Sequence, residues 1–241
     1  VTEMGNRHAA GVPFLLASRT RRGYSPTIML IEIYVDLICP WCLIGKRRLD
    51  RALAERPRMP VDLRWAAFQL NPDMPKGGMD RARYMAMKFG GADRAAQVYQ
   101  MIERAARRDG LEVRFDRLRR TPNTADAHRM VRLADGYGLS TAMVDALFQA
   151  YFFEELDIGD REVLSALAAR LGIDREEAAR YLASDKDVIA VRNSDIQARQ
   201  LGIQAVPYYI FNRRYGVAGA QEVETFLPLL DIAAEVPTVS A

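Results

Sequence analysis

The only two cysteines among the 241 residues stand in the run Cys39-Pro40-Trp41-Cys42. Two cysteines this close cannot staple a scaffold, and beside a strand-then-helix pattern the spacing points to thiol–disulfide exchange. Thiolate is the attacking species in that chemistry, so one sulfur needs a pKa below its usual value of about 8.5. A helix N-terminus lowers it by offering free N–H groups and the positive end of the helix dipole. Pro40 is well tolerated in a first helical turn, which places Cys39 at the helix start as the nucleophile. Cys42 lies one turn on, placed to attack Cys39 in a mixed disulfide and release the substrate. Trp41 carries no positive charge, so Cys39 is expected to be less strongly activated than in a C-P-H-C site, with a less oxidising potential. A structural zinc site is the main competing use of such a pair. Zinc takes four ligands, and only His8 and His128 are available besides the cysteines. No metal or bound cofactor is therefore expected.

A second element lies far along the chain. Gly202-Ile-Gln-Ala-Val206-Pro207 leads directly into a strand-like run from Tyr208. A proline immediately before a central strand suggests a cis bond in a tight turn; an ordinary trans proline at a strand start is the plainer alternative.

The elements that must position these residues can be read from hydrophobic period and breakers. Met29 to Val35 is short and rich in β-branched and aromatic residues, as expected of a buried strand. The helix opened by Pro40 runs to about Glu55. Leu43, Ile44, Leu49 and Leu53 form its buried stripe, and Lys46, Arg47, Arg48 and Arg51 are expected outside. Pro57 and Pro60 end it, and Val61 to Phe68 reads as a second strand stopped by Asn71-Pro72. From about Asp80 to Leu201 the pattern is almost wholly helical, in segments near 80–89, 92–108, 124–136, 141–153, 160–171, 174–183 and 186–201. Asp160 and Asp174 are placed as N-caps, and Tyr137-Gly138 and Leu171-Gly172 as helix ends. Tyr208 to Phe211 and Tyr215 to Ala218 are two short strands around Asn212-Arg213-Arg214, and a last helix covers about 221–234. Without the helical block the order is β-α-β, then α-β-β-α. This is an α/β chain with a thioredoxin core, 29–77 and 202–241, and a large all-helical insertion, 78–201.

The motifs resemble the FrnE-like branch of the DsbA-type thioredoxin-fold oxidoreductases. They are Asp36-Leu-Ile-Cys-Pro-Trp-Cys42 with Leu-Ile-Gly-Lys46, Phe68-Gln-Leu-Asn-Pro72, Asn123-Thr-Ala-Asp-Ala-His-Arg129, Tyr151-Phe-Phe-Glu-Glu-Leu-Asp-Ile158, Val206-Pro207 and Gly219-Ala-Gln221. The resemblance implies the DsbA-like helical insertion and exchange with protein or peptide thiols and disulfides. It also implies that a cis Pro207 faces the cysteines and that Val206 offers its backbone to the substrate chain. Pro40 and Trp41 join Val206 as substrate contacts. Some relatives carry an extra cysteine pair; this chain does not, so glutathione or another dithiol system must recharge Cys39–Cys42. Thioredoxin has a buried acid six residues before its first cysteine, where Ile33 stands here. Asp36 is nearer and could assist proton transfer to Cys42, though a solvated loop aspartate is the simpler reading. His128 is read as a packed or surface histidine, with a substrate contact as the alternative. Met85, Met87 and Met101 are assigned to helix cores.

Composition limits the alternatives. Hydrophobic residues make up 49% and charged residues 27%, ordinary for a globular chain, and no apolar run nears the roughly 20 residues that cross a bilayer. Arg7, Arg19, Arg21 and Arg22 against Glu3 give residues 1–28 the same net charge, +3, as the whole chain, so the rest balances. The basic excess thus points to neither nucleic acid nor membrane. Residues 1–28 lack hydrophobic period and are expected to be a disordered leader, with a transit role the weaker option. Ala9 to Ala17, short and broken by Pro13, predicts no export signal and hence a cytoplasmic protein. Two other functions compete. A glutathione-dependent isomerase or transferase, similar to 2-hydroxychromene-2-carboxylate isomerase, would usually have Ser for the first Cys and an Asp-Arg pair where Ala220-Gln221 stands. A chaperone-like binding module would use the helical surface and leave the cysteines incidental.

Overall fold

The computed structural model describes residues 28–235. The expected leader, apart from Ile28, lies outside the described residues. A four-stranded mixed sheet forms the centre: β1 (Met29–Val35), β2 (Val61–Ala67), β5 (Tyr208–Phe211) and β6 (Tyr215–Ala218) stand in the order β2-β1-β5-β6. β1 runs parallel to β2 and antiparallel to β5, with Ile33 opposite both Trp65 and Tyr209. Ile31, Ile33 and Val35, which share one face of β1, are buried, while Leu30 and Glu32 on the other face are half-buried. Asn212, in the turn after β5, ties that turn to β1 and to the last helix. Its Oδ1 accepts from the Leu30 amide at 2.9 Å, and its Nδ2 donates to the Ala233 carbonyl at 2.8 Å.

Helix α1 (Pro40–Ala54) packs on α9 (Val223–Ala234), which in turn lies on β5. Between β2 and β5 come α2 (Arg81–Phe89), α3 (Ala92–Arg108), α4 (Ala125–Asp135), α5 (Ser140–Phe152), α6 (Arg161–Arg170), α7 (Arg175–Ala183) and α8 (Val188–Gln200). α5 and α8 pack on β2 from this block, and α4 joins them through α8. Asp160 and Asp174 cap α6 and α7, accepting the amides of Glu162 and Glu177 at 2.7 Å. Asn123 stands before α4, accepts the Ala125 amide and donates to the Met74 carbonyl.

Three expectations are corrected. First, the outer face of α1 is only partly solvated. Lys46 and Arg48 are buried because α1 is covered by the helical block as well as by α9. Their charges are met there: Lys46 pairs with Asp50 and Asp145, and Arg48 with Asp109 and Glu222. Second, the block is not all helix. Short strands β3 (Met79–Asp80) and β4 (Arg120–Thr121) pair antiparallel, closing the loop that carries α2 and α3. Third, of the methionines assigned to cores, Met85 is buried but Met87 and Met101 are exposed. α2 and α3 lie at the periphery and bury only a narrow stripe.

Candidate active site

β1 delivers the chain into a tight link, Asp36 to Ile38, and the Cys39 amide closes it by bonding the Asp36 carbonyl at 3.0 Å. Cys39 is then the N-cap residue of α1, with Pro40 at the first helical position. Its carbonyl accepts the first helical bonds, from Cys42 at 3.0 Å and Leu43 at 3.3 Å. The cysteines are thus placed by the strand end and helix start together. Cys39 retains 4% exposure and Cys42 none, and both are free thiols. Pro40 and Trp41 are half-buried beside them.

The two sulfurs differ electrostatically. A hydrogen bond from the Cys42 thiol, together with the amides of Cys42 and Trp41, holds the Cys39 thiol below its ordinary value, outweighing burial and the nearby Asp36 carboxylate. Burial, the Cys39 sulfur and its charge push Cys42 well above the ordinary value. Of the two sulfurs, Cys39 is therefore the easier to ionise and Cys42 the harder.

Across from Cys39 lies the turn before β5. The Val206–Pro207 bond is cis, and the Cys39 Sγ stands 3.6 Å from the Val206 carbonyl oxygen. The geometry brings together Cys39, Cys42, Val206 and Pro207, residues separated by 167 positions at the closest contact. The Pro207 carbonyl accepts the Gly219 amide at 2.7 Å, which holds the turn to the end of β6.

Asp36 is not a solvated loop residue: it is 1% exposed. Oδ2 accepts the Leu70 amide at 2.7 Å, Oδ1 faces the Ile38 amide at 3.5 Å, and the Thr124 hydroxyl also donates. The reason is topological, since the link crosses under the loop leaving β2 and the start of α4. Burial pushes Asp36 up to about 6, against the pull of those donors and of Lys88. His128 of α4 is buried too, and burial lowers it to about 4, so it is neutral at pH 7.

Two further residues went unnoticed in the sequence. Gly45, one turn beyond Cys42, has no room for a side chain: an added Cβ would clash with the Tyr209 hydroxyl and stand 2.8 Å from Pro207 Cγ. A glycine inside an otherwise regular helix was the available signal, because it destabilises a helix unless a close approach requires it. Tyr209, two residues after Pro207, is fully buried, and its hydroxyl has no hydrogen-bond partner. Among the described residues no group of three or more His, Cys, Asp and Glu side chains is arranged to hold a metal ion.

Comparison with known proteins agrees with this architecture. A probable DsbA oxidoreductase from Streptomyces coelicolor is 33% identical and superposes with a TM-score of 0.79, covering 88% of this chain and 93% of that one. A 2-hydroxychromene-2-carboxylate isomerase superposes at 0.63 with 14% identity over 86% and 94% of the two chains. The cytosolic disulfide reductase DsbM of Pseudomonas aeruginosa, solved with glutathione, gives 0.58 with 22% identity over 86% and 96%. The last two share the fold. Residues 30–231, nearly the whole of the described structure, match the DSBA-like thioredoxin domain, and the chain belongs to that family.

Proposed function

We propose that this chain is a thiol–disulfide oxidoreductase of protein or peptide substrates, with Cys39 as nucleophile and Cys42 as resolving thiol. The observation that carries the reading is the Cys39 sulfur at the start of α1, 3.6 Å from the Val206 carbonyl. The Cys39 thiolate attacks a substrate disulfide; the S–S bond breaks, one substrate sulfur leaves as thiolate, and a mixed disulfide forms. Cys42 loses its proton and attacks Cys39, which frees the second substrate sulfur and leaves Cys39–Cys42 oxidised. Val206 offers its backbone to the substrate chain beside the mixed disulfide, Pro207 shapes that turn, and Pro40 and Trp41 line the approach. In a reducing compartment glutathione or another dithiol returns the pair to thiols. The glutathione complex of the similarly folded DsbM supports glutathione as that partner. The motifs around Cys39, Phe68, Asn123 and Gly219 favour the FrnE-like branch. A cytoplasmic site of action fits a reductase or isomerase role, and no helix among the described residues is long and apolar enough to cross a membrane.

The test is equilibration with a glutathione series, read by mass. A reversible two-electron transition between about −270 and −120 mV, the span from thioredoxin to DsbA, is expected. If no disulfide forms at any poise while glutathione simply binds, the oxidoreductase reading falls in favour of a glutathione-dependent isomerase or transferase.

A further inference from the structure

We propose that His128, supplied by the helical block, is a positioning residue of the redox site. Its Nε2 accepts the proton-bearing oxygen of Asp36 and makes that carboxyl a store which fills when Cys39–Cys42 is reduced. The inference rests on the oxidoreductase reading and extends it to the proton that accompanies the electrons.

Three observations carry it. The Nε2 of His128 is buried with no hydrogen-bond partner, a costly state for a ring nitrogen. It lies 3.9 Å from Asp36 Oδ1, too far for a hydrogen bond to a carboxylate and with no proton of its own to give. Its other nitrogen faces the Phe68 carbonyl and holds the ring proton, so Nε2 is the free acceptor. On Asp36 the two oxygens are not equivalent. Oδ2 accepts the Leu70 amide at 2.7 Å, Oδ1 faces the Ile38 amide at 3.5 Å and the His128 Nε2, and the Thr124 hydroxyl also donates to the carboxylate. Oδ1 is the oxygen that faces Nε2, so a proton placed there is the one His128 can accept. A shift of about 1 Å brings the pair to hydrogen-bond distance.

Asp36 is also tied to the dithiol. Its backbone amide faces the Cys42 sulfur, and its carboxylate acts on both cysteines as a like charge. The other groups facing the pair are Lys88 of α2, Thr124 before α4, Tyr151 of α5 and, beside His128, Asp195 of α8. Asp195 is engaged by Arg199 at 2.9 Å.

The step balances. Two thiols of the reductant give two electrons and two protons and become a disulfide. The Cys39–Cys42 bond breaks, Cys42 takes one proton and Cys39 remains thiolate; below about pH 6 the second proton goes to Asp36 Oδ1, donated to Nε2, and above it increasingly to solvent. Reoxidation returns both protons. With the carboxyl neutral, the Cys39 thiolate has no buried like charge beside it.

The test uses the full wild-type chain, oxidised and fully reduced, with NMR of the Asp36 carboxyl carbon and the His128 Nε2 across pH 4 to 9. Asp36 is expected to hold its proton at least threefold more tightly in the reduced form. The Nε2 resonance should move with that titration while remaining that of an unprotonated nitrogen. In His128→Phe, Asp36 should bind its proton more weakly than in the wild type in both forms. Equal Asp36 midpoints in the two forms, or an Nε2 silent through the Asp36 titration, overturn the inference even if the cysteines cycle normally. Failure of the cysteines to cycle removes the oxidoreductase reading and this inference together.

Discussion

Gly45 and Pro207 meet with no side chain between them, since a Cβ on the glycine would lie 2.8 Å from the proline Cγ. This contact sets how closely α1, and with it Cys39, approaches the Val206–Pro207 turn. We predict that Gly45→Ala pushes the two apart and costs about 1–3 kcal/mol through overpacking. A displacement near 1 Å is also expected to lower exchange activity by up to about a hundredfold. Tyr209→Phe in the same background removes the other clashing atom and should recover part of the stability. Denaturant melts and turnover of a small disulfide check it; wild-type turnover in Gly45→Ala would show that the contact does not set the site.

The cysteines should separate cleanly. Cys39→Ser is expected to abolish exchange, because the remaining sulfur is fully buried and held above its ordinary pKa. Cys42→Ser keeps the nucleophile but cannot resolve, so mixed disulfides with peptide thiols should accumulate and be visible by mass. Multiple turnovers by Cys42→Ser without such adducts would assign resolution to another thiol.

Much of this was legible in the sequence because the signals are local. β1, β5 and β6 fall where their β-branched and aromatic runs lie, and Asp160 and Asp174 cap the helices they precede. The C-x-x-C at a helix start is equally local. What could not be read is set by neighbours distant in sequence. Asp36 looks like a loop residue until Leu70 and Thr124 close over it, and Arg48 looks solvated until Asp109 arrives, 61 residues later. His128 carries no sign that its free nitrogen faces Asp36. Single-residue chemistry predicts candidates, whereas long-range packing decides which are buried.

Stability against pH should expose Asp36 and His128 separately. Asp36 rises on folding from 3.8 to about 6, so the folded state binds the proton more tightly, and stability falls as pH climbs through that window. His128 falls from 6.5 to about 4, so the unfolded state binds the proton more tightly, and stability rises over nearly the same range. Each contributes about 3 kcal/mol with opposite sign, and in the wild type they largely cancel. Relative to wild type, Asp36→Asn should therefore gain stability as pH rises from 4 to 6.5, and His128→Phe should lose it. Melts at half-unit intervals read the two slopes; parallel curves for all three proteins would place neither group as a buried titrating residue.

The ion pair between Arg48 and Asp109, 2.7 Å long with both side chains about 5% exposed, ties α1 to the end of α3. Arg48 also donates to the Ala220 carbonyl at 2.8 Å, beside Gly219, whose amide holds Pro207. One side chain thus braces the helix that carries Cys39 and the segment that holds the proline turn. Removing one partner of a buried pair leaves the other charge uncompensated, at about 3–5 kcal/mol. Arg51 remains 3.2 Å from Asp109 but is largely exposed, so Arg48→Met is expected at the lower end, about 3 kcal/mol, or roughly 6–12 °C in melting temperature. Arg48→Met with Asp109→Leu removes both charges and should recover most of the stability. The Ala220 bond is still missing in that double variant, so its exchange rate, measured well below either melting temperature, should stay below wild type. Recovery of rate and stability together would show that Arg48 acts only through Asp109 and does not brace the proline turn.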